Sequence, residues 1–417
     1  MAAIEKNSAK SWLQFVIVFI AGITIAMGMF KVPVNMPNIM EYFGTDMTQV
    51  SLLMSVVGIT CLITALPAGG IMQKIGPKKF GIIVIACGIL ENVIGALAPN
   101  IQVLIASRLL DAVSYGCLSM VSVAIIAANF TPEKRGLPNG IWVIWVAFAQ
   151  LIVAQLANSV VPAFGWQGEW ITVAICQAVA LVLFIAFVRN PGQDADDEEK
   201  GDEPEEKATV LEGIKEPGPW LLTLCVAGLA FGASIYTGLY PTYLSSPQGA
   251  GLDQTTANNL VSIGSIGGIV GSVLIGWIIN RFKPTRRGIL MMIVAAVSIV
   301  IYAFCFSIPV GIMAVFIFFF AAVSQFSMPV AFAWIPDIIK DPRTLSMATG
   351  ILMIGANIGG ALGITLPSMA IDAAGGAWVG ALPVVVGLAV VGLICAAILH
   401  VFVQKKVIPV RKDLQDK

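Results

Sequence analysis

A chain that turns apolar again and again over bilayer-crossing lengths has few folds open to it. Inside hydrocarbon every backbone N–H and C=O must be satisfied internally, so such stretches are helices or strands of a closed barrel. Twelve are read here, at 12–42, 48–72, 80–98, 101–128, 139–161, 169–188, 219–244, 256–280, 288–306, 309–335, 345–366 and 381–403, most near the roughly 20 residues that span a bilayer as helix. The alternation of barrel strands is missing, so an all-α membrane protein is expected. Composition agrees: 58% of the 417 residues are hydrophobic and 12% charged, too little polar surface for a soluble domain. The segment Met1 to Lys10 is short and polar and runs into the first span without a small-residue cleavage site, which reads as a retained first helix.

The same rows exclude several function classes. A formal net charge of zero provides no nucleic-acid footprint. One histidine, His400, and seven cysteines set inside apolar runs have no metal-ligand spacing, so no metal and no cofactor are expected. No Gly-rich phosphate loop ends in Lys-Ser or Lys-Thr, which argues against ATP drive, and no Ser/His/Asp set is available, so an enzyme is not expected.

Charge fixes the expected orientation. With a cytoplasmic N-terminus, the loops after spans two, four, six, eight and ten carry Lys74, Lys78, Lys79, Lys134, Arg135, Arg189, Arg281, Lys283, Arg286, Arg287, Lys340 and Arg343. The opposite loops carry Asp46, Asp253 and Asp372 and no Lys or Arg. This positive-inside bias puts both termini in the cytoplasm of a cell whose plasma membrane the chain crosses many times. Residues 189–218 hold eleven acids and read as a flexible cytoplasmic linker. They divide the chain into 1–188 and 219–417, six spans each.

The halves repeat one another. Gly69-Gly70-Ile71-Met72-Gln73-Lys74 follows span two, and Gly276-Trp277-Ile278-Ile279-Asn280-Arg281 follows span eight, 207 residues on. Each leads into a basic turn. Pro132 with Gly140-Ile141 corresponds to Pro342 with Gly350-Ile351 at an offset of 210. Matching loops at matching positions indicate duplication.

On these residues the chain resembles the major facilitator superfamily over nearly its full length. Gly69, Gln73, Lys74, Gly76 and Lys78, with Asn280, Arg281 and Arg286 in the second copy, are similar to that family's cytoplasmic gating loops. Arg108 followed by Gly116 resembles its second motif. Gln73 and Asn280 stand where the family has Asp, so the resemblance implies a gate lacking that ion pair. Span five lacks Gly-Pro-x-x-Gly-Gly, the signature of drug/proton antiporters. The resemblance implies two six-helix bundles related by pseudo-two-fold symmetry and a substrate site reached by alternating access. It also implies that spans 1, 4, 7 and 10 line the cavity.

Ionisable groups inside spans are costly and mark function. Four are read as deep: Lys31, Glu91, Arg108 and Asp111, at compatible depths when counted at about 1.5 Å per residue. Together they sum to zero charge and form a candidate coupling network. Lys31 is expected to face the central cavity as an ammonium for a carboxylate; permanent pairing with Asp111 or Glu91 is the alternative. Arg108 and Asp111 share a helix face. Asp111 or Glu91 is a candidate for a coupling proton. In the second half the candidates are uncharged: Tyr236 and Tyr240 a helical turn apart, Gln325, Trp334 and Asn357.

The expected function is therefore secondary transport of a small organic anion, proton-coupled or by exchange, by a monomer embedded in lipid. A proton-coupled exporter of hydrophobic or cationic compounds, a neutral-solute carrier and a ligand-sensing receptor remain as alternatives.

Overall fold

The computed structural model describes residues 6–131, 134–142, 144–189, 215–341 and 344–411. The acidic segment 189–218 lies largely outside them, as do Pro132 and Pro342 of the repeat and Arg343.

The first half contains α1 (Ala9–Phe43), α2 (Met47–Ile75), α3 (Pro77–Ala96), α4 (Ile101–Asn129), the short α5 (Gly136–Trp142) and α6 (Trp145–Phe187). The second contains α7 (Pro217–Ser234), α8 (Tyr240–Ser245), α9 (Gln254–Ile279), α10 (Arg287–Phe304), α11 (Met313–Ser324), α12 (Ser327–Ile338), α13 (Leu345–Ala373) and α14 (Leu382–Phe402). Local chemistry sets many of the ends. The Ser8 hydroxyl accepts from the Ser11 N–H to open α1, and Gly44 closes it at φ 63°, the left-handed conformation that suits glycine at a helix end. Asn100 caps α4 through the Val103 N–H, and Pro77 begins α3, where its missing N–H costs nothing.

Among the described residues, eleven helices are long and apolar enough to cross a membrane. The difference from twelve lies in α6, whose 43 residues extend about twice the roughly 30 Å of a hydrocarbon core. Gly165, at φ 67° and ψ −178°, is non-helical and breaks α6 into two arms. These arms are the fifth and sixth spans. The fifth, expected from 139, begins as continuous helix only at Trp145, behind α5. The seventh span also departs from regular helix. A wide turn over Ile235–Leu239 joins α7 to α8, with the Tyr240 N–H reaching the Ile235 carbonyl. The tenth is divided between α11 and α12 at Gln325 and Phe326.

By internal packing the chain divides into two compact units, Met1–Thr45 with Leu52–Glu203, and Asp46–Ser51 with Pro204–Lys417. In the first, α1 packs along α6, and α3 is held between α4 and α6. In the second, α7 lies against α13 and α14, and α9 against α11. The first turn of α2 belongs to the second unit, where the Asp372 carboxylate accepts from the Thr48 N–H at 2.8 Å. The core of the first unit is aliphatic and aromatic, with Val18, Ile25, Val121, Val173 and Phe184 wholly or almost wholly buried.

Candidate functional site

Within the first unit, the apolar packing of α1, α3, α4 and α6 closes over a chain of charged and amide groups. Lys31 on α1, Glu91 and Asn92 on α3, Arg108 and Asp111 on α4, and Glu169 and Gln177 on α6 are all 0% exposed. Groups of this kind persist in an interior only when each charge is met by an opposite charge or a hydrogen bond.

Glu91 is the centre of the arrangement. Its Oε2 accepts from Lys31 Nζ at 2.7 Å and its Oε1 from Arg108 Nη1 at 2.9 Å, so one carboxylate bridges two cations. Lys31 also donates to the Asn92 side-chain oxygen, and its ammonium sits 4.5 Å from the Trp170 ring centroid. That ring face attracts a cation. The Asn92 amide is oriented for this role because its nitrogen is engaged with the Gly88 carbonyl at 2.8 Å and Gln177 Oε1 at 3.1 Å. Gln177 Nε2 in turn donates to the Thr24 carbonyl of α1 at 3.1 Å.

Arg108 uses its fork fully. Nε donates to the Leu53 carbonyl at 3.1 Å and Nη1 to the Gly28 carbonyl at 3.1 Å. Nη2 lies 2.9 Å from Asp111 Oδ2, one turn along α4. A planar, multiply donating cation suits such a junction of helices. Gly28 makes the approach of α1 feasible: a Cβ there would stand 2.9 Å from Asp111 Oδ1.

Glu169 completes the set and was missed in the sequence reading. It follows the Gly165 break at the start of the second arm of α6, where the apolar count placed the edge of a span. Its Oε2 accepts from Asn35 Nδ2 at 2.6 Å, and Asn35 also donates to the Lys31 carbonyl at 2.8 Å. The signal available in the sequence was one acid between Trp166 and Trp170, with a lone amide, Asn35, one turn after Lys31.

Of the two expectations for Lys31, a cavity-facing ammonium and pairing with Asp111 or Glu91, the structure shows a Glu91 pair. The Lys31 side chain is enclosed between α1, α3 and α6, with Glu91, Asn92 and Trp170 as partners. The reason is electrostatic: two carboxamide or carboxylate acceptors on α3 lie within reach, and an ammonium left without them would be unpaired in an apolar interior.

The second-unit candidates occupy packed or partly exposed positions. Tyr236 and Tyr240 are buried and both touch Phe320, at centroid distances of 5.4 and 5.2 Å. The wide turn between them replaces the single helical turn expected from their spacing. Tyr240 also packs on Tyr243 and Phe306. Trp334 is buried close to Gly288 and His400. Gln325 is partly exposed at the end of α11. Asn357 is partly exposed on α13 and donates to the Met353 carbonyl at 2.8 Å. These five are spread over several helices and do not gather into one constellation among the described residues.

The loop residues fall at helix ends. Gly69 is half-buried on α2, and Gln73 and Lys74 are exposed in its last turn. Gly76, at φ 82°, turns the chain into α3, and Lys78 Nζ donates to the Ile185 carbonyl of α6 at 2.8 Å. Asn280 caps α9, Arg281 stacks over the Trp277 ring at 4.1 Å, and Arg286 is exposed.

The sequence profile described as Major Facilitator Superfamily matches residues 18–326 and 250–416. The chain belongs to the Major Facilitator Superfamily. It is accordingly a multi-pass membrane protein of that superfamily. Solved members of this superfamily share the fold. A bacterial homologue of the human lysosomal transporter Spinster, inward-facing and occupied, superposes with a TM-score of 0.74 at 16% identity, covering 95% of this chain and 97% of that one. A mutant of the nucleoside transporter NupG gives 0.75 at 14% identity over 94% of this chain and 99% of that one.

Among sequence relatives, the uncharacterized MFS-type transporter YhcA of Bacillus subtilis is 26% identical over 192 residues, 45% of this chain and 35% of that protein. The chain thus spans about a third of the length of that relative. The 4-hydroxybenzoate transporter PcaK of Pseudomonas aeruginosa is 24% identical over 66% of each chain. The probable multidrug resistance protein EmrY of Escherichia coli is 23% identical over 47% of this chain and 36% of that one.

Proposed function

We propose that this superfamily member is a proton-coupled transporter of small organic anions, working by alternating access in the plasma membrane with both termini cytoplasmic. The observation that carries the reading is Glu91 bridging Lys31 and Arg108 at 2.7 and 2.9 Å. The two cations make a carboxylate site whose present occupant is a side chain. A substrate carboxylate can compete for the same donors once the helices of the first unit part. Arginine supplies two-pronged recognition and lysine a compact charge. Similarity to a protein named as a 4-hydroxybenzoate transporter, over two thirds of both chains, supports an aromatic or otherwise amphipathic acid. Lys31 is retained in this proposal as a substrate group that Glu91 holds in reserve, with Arg108, Asp111 and Glu91 as the coupling network. Tyr236, Tyr240, Gln325, Trp334 and Asn357 are proposed for the apolar part of the ligand. Gln73 and Asn280 are proposed to leave the cytoplasmic gate without the family's ion pair, and the helix ends at Gly69, Lys74, Gly76, Lys78, Arg281 and Arg286 to move with it.

A second reading, export of hydrophobic compounds, is favoured by the match to EmrY and by the ring series Trp142, Trp145 and Tyr115, stacked at centroid distances of 5.0 and 5.4 Å. The two separate in a thermal-shift screen of the purified protein against aromatic and aliphatic carboxylates, neutral solutes and lipophilic cations, beside Lys31→Gln. A ligand that binds the folded state raises apparent stability by mass action. Stabilisation by a carboxylate that disappears in Lys31→Gln is the expected result. Stabilisation by lipophilic cations alone, retained in the variant, selects the export reading.

A further inference from the structure

The charges inside the first unit do not balance. Among the described residues, two cations, Lys31 and Arg108, share the interior with three carboxylates, Glu91, Asp111 and Glu169, all 0% exposed. Glu91 and Asp111 are both ion-paired, at 2.7 to 2.9 Å. Glu169 makes no ion pair within that range: its Oε2 is held by the uncharged Asn35 amide at 2.6 Å, and its Oε1 has no hydrogen-bond partner among the described residues. A fully buried carboxylate with one oxygen unmet is the costliest form in which to bury this side chain. As a neutral acid the same group fits without excess charge.

We propose that Glu169 is the group that binds and releases the coupling proton, resting on the proton-coupled reading above. The groups that face it are Lys31 and Asn35 on α1, with Glu91 and Asn92 on α3 and Arg108 and Asp111 on α4 reached through Lys31. On release, the Glu169 O–H bond breaks, its electron pair stays on the carboxylate, and the proton passes to water at the Gly165 break in α6. The carboxylate then competes with Glu91 for Lys31, since both reach α1 within one turn. That draws Lys31 from Glu91 and adds a negative charge to the interior, so a substrate anion is held while Glu169 is protonated and is expelled with the proton. Reprotonation restores the arrangement seen here. Asn35 is the positioning residue, because it ties Glu169 to the Lys31 turn by donating to both.

The proposal is tested without any substrate. Infrared difference spectra of the full-length protein in lipid, recorded as pH is raised through the neutral range, report the C=O stretch of a protonated buried carboxyl. The expected result is a band that titrates away in the native protein and in Glu91→Gln, and that is absent from Glu169→Gln. Asn35→Leu removes the amide donor without changing the acid, so its band should persist at a shifted frequency; this variant also reports if Glu169→Gln fails to fold. A native spectrum with no titrating band, or a band unchanged in Glu169→Gln, overturns the assignment. Failure of the organic-anion reading appears elsewhere, in the ligand screen, and leaves this band where it is.

Discussion

The first consequences belong to single side chains. Glu91 serves both cations, so removing its charge leaves Lys31 and Arg108 facing one another with Asp111 as the remaining anion at 2.9 Å from Arg108. Breaking one member of a buried network costs about 3–5 kcal/mol, and Glu91→Gln should lower the thermal midpoint in detergent accordingly. Lys31→Met combined with Glu91→Leu should recover part of that loss, because an apolar pair of similar volume replaces a charge pair. If the double variant is no more stable than Glu91→Gln, the bridge is not the linchpin described. Gly28→Ala places a methyl 2.9 Å from Asp111 Oδ1 and should destabilise by about 1–3 kcal/mol through overpacking. Among the described residues, four of the five buried charges of the first unit could be picked out from the sequence because a charge in an apolar run stands out against its neighbours. Which way Lys31 points could not, since α1 is apolar on nearly every side and offers no polar face to orient it. Glu169 escaped because hydropathy blurs at a span's edge, and only the fold shows that Trp166 and Trp170 bury that edge.

At the scale of elements, the recurring apolar lengths made twelve spans legible, the two arms of α6 among them, whereas the breaks inside the seventh and tenth were not. Gly165 divides α6 with a single residue at positive φ, where a windowed count sees only a dip between two apolar stretches. A Cβ at that position would be strained by about 1–2 kcal/mol in the left-handed region and would stand 2.9 Å from Gln167 Oε1. Gly165→Ala should therefore lower stability and, by loosening the turn that aims Glu169 at Asn35, reduce protection of that segment from hydrogen exchange. Helix caps behave more simply. Asp253 accepts from Thr256 at the start of α9, and those hydrogen bonds hold its carboxyl below the ordinary aspartate range. Its contribution is present at neutral pH and fades as pH falls through that lowered value. Asp253→Asn, which keeps a capping oxygen, should remove this acid sensitivity with little change near neutrality, as read by helix exchange at two pH values. The wide turn at Ile235–Leu239 was invisible to spacing, which is why Tyr236 and Tyr240 were placed on one helical stripe; their shared contact is Phe320 instead.

For the whole molecule, duplication was readable because loop motifs recur at nearly constant offsets, and membership of the superfamily followed from a profile match along both halves. The two interiors differ. The first unit holds a charged, amide-linked interior, whereas the interior of the second is aromatic, with Tyr236, Tyr240 and Tyr302 all packed on Phe320. Among the described residues, the buried carboxylate of the second unit, Asp337, pairs with the partly exposed Arg287 at 2.8 Å, whereas the first unit encloses a network of charges that are all 0% exposed. In the proposed carrier, this asymmetry would assign the proton and the carboxylate end of a ligand to the first unit. The most direct measurement reconstitutes the protein in liposomes with an internal pH indicator and adds 4-hydroxybenzoate, then other aromatic and aliphatic carboxylates, in turn. The account predicts that at least one carboxylate drives proton movement, and that Lys31→Gln and Glu169→Gln each abolish it. Proton movement driven by lipophilic cations or neutral solutes, with every carboxylate silent, would contradict it.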